Sequence, residues 1–125
     1  MIDRAQIEDG DVTDLPTINR FAVLLVPSEE FLRWIESCPG SETVTSRDNF
    51  QREPTAYLIP EIGDEPGQYV QRHYKRMLIE ELTGWSTDEA DWPKDLSFRA
   101  FRSMFDIHVT SMVFDLASEP LERDA

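Results

Sequence analysis

The chain is poor in the residue types that staple, span or catalyse. It carries one cysteine, Cys38, so no disulfide can close within it, and a reducing compartment is expected. Histidine occurs twice, at 73 and 108, with no HxxxH pair or other zinc spacing. There is no glycine-rich phosphate loop; the five glycines, at 10, 40, 63, 67 and 84, fall where turns or helix ends are expected. The longest apolar run, FAVLLVP, is far short of the roughly 20 residues that cross a bilayer. The start, MIDRAQIEDGDVTDLP, lacks a basic region followed by an apolar stretch, so no signal peptide is expected. These absences predict a soluble cytoplasmic protein, with no cofactor, no metal site and no catalytic residue assigned.

Positive charge is also scarce. Twelve Lys and Arg, only two of them Lys, stand against 25 Asp and Glu, giving a formal net charge of −13. A field of that sign opposes sequence-independent binding to nucleic acid and to anionic membranes; a GC-rich genome, a salt-adapted host and a surface that meets a basic protein partner each account for the composition, beside a plainly solvated acidic surface. Half of the basic residues (Arg72, Lys75, Arg76, Lys94, Arg99 and Arg102) fall on or beside two later helical segments. The pairs Asp95–Arg99, Arg76–Glu80 and Arg102–Asp106 are each four apart, the spacing of ordinary helix-surface ion pairs.

What is present is enough apolar residue for one core: 40% of the 125 residues are hydrophobic and 10% aromatic. Residues 1–17 read as an acidic arm docked through Ile2, Ile7 and Leu15, residues 18–116 as a single domain, and 117–125 as a flexible tail. RFAVLLVP is apolar throughout, the pattern of a strand buried on both faces. PSEEFLRWIESCPG follows as a helix capped by Ser28 and stopped by Pro39-Gly40. SETVTSRDNFQREP fits a short strand or a loop with one helical turn, and TAYLIPE a second strand between prolines. A long helix over 65–82 carries Val70, Tyr74, Met77, Leu78 and Leu82 at helical spacing, with Glu81 a polar intruder. Trp85 falls one turn further on. DLSFRAFRSMF predicts another helix and DIHVTSMVFDL a third strand.

The predicted class is an α/β sandwich of two or three layers, in the order strand, helix, strand, helix, helix, strand. A helical crossover should make the first two strands parallel, with the third antiparallel to them, in a small mixed sheet of three to four strands. The expected core is Phe21, Val23, Leu25, Phe31, Trp34, Ile35, Tyr57, Leu58, Ile59, Tyr74, Met77, Leu78, Trp85, Phe101, Phe105, Val109 and Val113.

Four stretches, FAVLLVPSEEFLRWI, EPTAYLIPE, EELTGW with DWP, and MFDIHVTSMVFDL, together resemble a group of short bacterial proteins with no assigned activity. The resemblance covers roughly residues 20–116. It implies a compact bacterial cytosolic domain and supplies no site residues.

Candidate binding residues form two sets. Asp88, Glu89 and Asp91 cluster in LTGWSTDEADWP, where Ala90 and Trp92 break the alternating oxygens of a calcium loop. A corner pinned by the two tryptophans is the favoured reading of that stretch. Arg99, Arg102 and His108 could line an anion-accepting pocket, and Glu61 with Asp115 could meet at strand ends. The expected function is a non-catalytic acidic interaction domain with a basic partner. The alternatives are a small ligand-binding protein or enzyme at Arg99, Arg102 and His108, or a homo-oligomer formed through a strand edge or exposed aromatics such as Phe50.

Overall fold

The structure, a computed structural model, describes residues 16–39 and 53–124. The expectations for residues 1–15 of the arm, for 43–52 and for Phe50 lie outside the described residues. Three strands, β1 (Arg20–Pro27), β2 (Thr55–Pro60) and β3 (Phe105–Thr110), form a sheet in the order β2-β1-β3. Among the described residues three helices, α1 (Glu29–Ser37), α2 (Pro66–Thr83) and α3 (Phe98–Met104), accompany it in the predicted order, an α/β fold. None of these helices is long and apolar enough to cross a membrane.

Both strand pairs among the described residues are antiparallel, so the parallel first pair expected of a mixed sheet is not what forms. β1 pairs with β2 by placing Leu25 opposite Thr55, so β2 starts at the end of the sheet where β1 stops. A crossover requires the helix to carry the chain back along the strand. The register shows that no such return is made: Thr55 enters opposite Leu25 and Pro60 leaves opposite Arg20. β3 runs antiparallel to β1, as expected, and parallel to β2 on the other flank.

Among the described residues the fold has two layers. Val23 and Leu25 are fully buried and join one cluster with Phe31, Leu32, Ile35, Met77, Leu78, Leu82 and Phe101, drawn from the three helices, and with Phe105 of β3. The alternate residues of β1 face the other way, beside Leu58 of β2 and His108 of β3. Leu58 is 48% exposed, which removes it from the core. Among the described residues β1 is therefore packed by helices on one face, and its apolar run suits the central strand, hydrogen-bonded on both sides. Val109 shares the helix-facing side but is 41% exposed, because it lies toward the far end of β3 from the helix junction.

Rings tie the layers together. Phe105 lies 4.5 Å from Phe31 and 5.5 Å from Phe101 between ring centroids, and Phe101 lies 5.5 Å from Tyr74. One aromatic chain thus joins α1, β3, α3 and α2. Burying each phenyl ring contributes about 2–3 kcal/mol by area. The Tyr74 hydroxyl completes the set by donating to the Leu96 carbonyl at 2.9 Å.

Helix ends depart from expectation in instructive ways. Ser28 occupies the N-cap of α1, but its hydroxyl caps nothing there; it donates to the Ser103 carbonyl at 2.6 Å, clamping α1 to the end of α3. Ser97, by contrast, accepts from the Ala100 N–H and caps α3. That helix ends at Met104 and Phe105 starts β3 directly, so Arg102 and Asp106 are no longer at helical spacing. α2 ends at Thr83, which takes Trp85 off its apolar stripe and leaves it 38% exposed. Beyond Thr110 the β1–β3 ladder breaks and resumes where Ile18 N–H donates to Val113 and Asp115 N–H to Pro16, so the strand expected through Leu116 is interrupted.

Candidate functional site

Glu81, the intruder on the α2 stripe, is explained by what faces it. Strand alternation sends Thr55 and Tyr57 toward the helical layer. The Tyr57 hydroxyl donates to Glu81 Oε2 at 2.6 Å, and the Thr55 hydroxyl to Oε1 at 3.1 Å. The two hydroxyls fix the carboxylate at the boundary between sheet and helix. Burial, and then the hydrogen bond to Glu81, push the Tyr57 phenol far above its ordinary range, so it remains a donor.

This carboxylate forms one wall of a cleft of about 440 Å³. Buried Phe31, Leu32 and Ile35 supply its apolar floor, Trp85 a partly exposed aromatic wall, and Glu53 a second carboxyl at the rim. An apolar base, an indole and two carboxylates suit a cation on an aliphatic stem, such as a lysine or arginine side chain. The sequence held one signal of this site, the acid on an apolar stripe. Its meaning required knowing that Thr55 and Tyr57 point to the same place, and that Trp85 leaves the helix.

The acidic stretch 88–91 is a structural corner. Asp88 accepts from the Ala90 N–H, capping one turn of 3-10 helix at Glu89–Asp91, and the Asp91 carboxylate accepts from the Ser86 hydroxyl at 2.7 Å. The Trp92 indole donates to the Ser86 carbonyl and the Trp34 indole to the Asp91 carbonyl, both at 2.9 Å. Two of the three acids are thereby engaged in the turn itself, and Glu89 is exposed. Among the described residues no three His, Cys, Asp or Glu side chains group as metal ligands would.

The basic candidates are divided between two depressions. Arg102 and His108 share one of about 380 Å³ along β3, with Phe105, Asp106 and Ile107. Arg99 lines another of about 420 Å³ between α1 and α3, with Trp34, Pro93 and Met104. The three expected helix-surface pairs are not formed among the described residues, where the ion pair is Arg72–Asp64 at 2.7 Å. Asp95 instead accepts from the Ser97 N–H, and its hydrogen bonds to Ser97 hold its carboxyl below the usual range. The Arg102 guanidinium lies over the Phe98 ring, 5.9 Å from its centroid.

Glu61 and Asp115 do not meet. They follow β2 and β3, the two outer strands, and stand about 10 Å apart across β1 before any offset in register. His73 packs against Tyr69, with ring centroids 4.2 Å apart. Cys38 is buried, and burial followed by the charge of Asp91 pushes its thiol up, which favours an inert thiol over a thiolate ligand. No protein-family model matches this chain, and no curated protein or solved structure is similar to it.

Proposed function

We propose that the chain is a non-catalytic acidic interaction domain that takes a basic side chain of a protein partner into the Glu53–Glu81–Trp85 cleft. The observation that carries the reading is the pre-positioned Glu81 carboxylate, held by two hydroxyls beside an apolar floor and an exposed indole. The net charge of −13 adds long-range attraction for a basic surface and speeds encounter. A cytoplasmic setting fits the single, buried cysteine. Catalysis is not part of the reading, because the two histidines stand apart and Arg99 lies in a different depression from Arg102 and His108.

Capture of partners from the native host tests it, with the wild type compared against Trp85→Ala and Glu53→Gln and elution by a salt gradient. The reading expects a stoichiometric basic protein, released by salt, held by the wild type and lost by Trp85→Ala. A partner retained equally by both variants, or none at any salt, overturns it.

A further inference from the structure

Among the described residues the two outer edges of the sheet differ. β2 is bounded by Pro54 and ends in Pro60, the kind of residue that blunts an edge against further pairing. β3, with sequence FDIHVT, has no proline and no lysine, and no strand pairs with its outer side among the described residues. Its sheet neighbour β1 occupies the inner side along all six residues. The outer side opens on the shallow depression lined by Asp106, Ile107 and His108.

Polar side chains on this edge are arranged symmetrically. Asp106 and His108 are exposed on the face away from the helices, one residue on either side of Ile107. We infer that β3 pairs with β3 of a second copy of this chain, antiparallel about a two-fold axis through Ile107. In that register Asp106 stands opposite His108 of the second copy, and His108 opposite Asp106 of the second copy. On the other face Ile107 meets Ile107 of the second copy, and exposed Val109 meets Phe105 of the second copy. The two three-stranded sheets become one of six strands with the prolines of β2 at both rims. A two-fold axis requires such self-complementarity, and antiparallel cross-strand pairs of a carboxylate with an imidazole N–H donor, or of apolar residues, stabilise the register. The opposing force is the −13 charge on each copy, which moderate salt screens while contacts within one strand spacing persist.

The test is sedimentation equilibrium in 0.3 M salt (about 6 Å of screening length) over a wide concentration range, with circular dichroism as the check on folding. The wild type is expected to associate to a dimer. His108→Asp sets acid against acid and Asp106→His sets histidine against histidine, so each alone should weaken association about ten-fold. An equimolar mixture of the two variants restores both opposite pairings and should form a heterodimer with near wild-type affinity. The chain carrying both changes should again dimerise by itself. A wild type that stays monomeric overturns the inference. So does a dimer indifferent to either variant, or a mixture that fails to recover, which would place the contact elsewhere or in another register.

Discussion

Replacing Tyr57 by phenylalanine removes one oxygen and leaves the ring packed against the core. The lost hydroxyl donates to Glu81 at 2.6 Å in a half-buried setting. Hydrogen bonds to charged groups contribute about 1.5–3 kcal/mol when buried; partial exposure brings the expected loss to about 1 kcal/mol. With a urea slope of about 1 kcal/mol per molar, the unfolding midpoint should fall by roughly 1 M at neutral pH. Alkaline pH supplies a second signature. The phenol titrates higher in the folded state than in the unfolded chain, so above about pH 10 the folded state holds a proton that the unfolded state has released. The stability from this group is fully present below that pH and declines as pH rises further. The wild type should therefore lose more stability between pH 9.5 and 11 than Tyr57→Phe does. Urea melts followed by circular dichroism at pH 7, 9.5 and 11 check both effects. Equal midpoints at pH 7 together with equal alkaline slopes would refute the argument that Tyr57 holds Glu81.

Other perturbations separate packing from pinning. Phe101→Ala opens a void where four aromatic side chains converge and should cost about 3–5 kcal/mol, lowering the melting temperature by more than about 10 °C in calorimetry. Trp34→Phe removes the indole bond to the Asp91 carbonyl; a loss of about 1 kcal/mol in urea unfolding, with hydrogen exchange faster over 86–92, is the expected outcome. Cys38 should react with a thiol reagent at pH 8 at least about ten-fold more slowly than free cysteine, and at the ordinary rate in denaturant.

Much of the fold could be read along the chain because local signals agreed. The apolar run at 20–27, the capped stretch at 97–104 and the spaced stripe of α2 each admit one element type, and their order followed. Strand direction did not, because it depends on which end of the sheet the chain re-enters after α1, and that is set by tertiary packing. Alternation puts Leu58 and Val109 in the core because it does not reveal how far the helical layer extends over the sheet. Trp85 was misplaced for a simpler reason: the stripe continues past the residue where the helix stops. Of the candidate site, only Glu81 left a trace in the sequence, as an acid among apolar positions. Arg102 and His108 come together only through the turn from α3 straight into β3, while Asp88 and Asp91 are engaged in local geometry that their charge alone did not disclose.

The cleft itself admits a direct measurement: heteronuclear NMR of the labelled protein titrated with n-butylguanidinium, against n-pentanol as the neutral match. A small cation over one indole beside a carboxylate should bind with a dissociation constant on the order of 1 mM. The account predicts saturable shifts confined to Trp85, Glu53, Glu81 and the Phe31–Ile35 floor, greatly reduced in Trp85→Ala. Equal shifts with pentanol, or cation-induced shifts scattered over the acidic surface and undiminished in the variant, would contradict it.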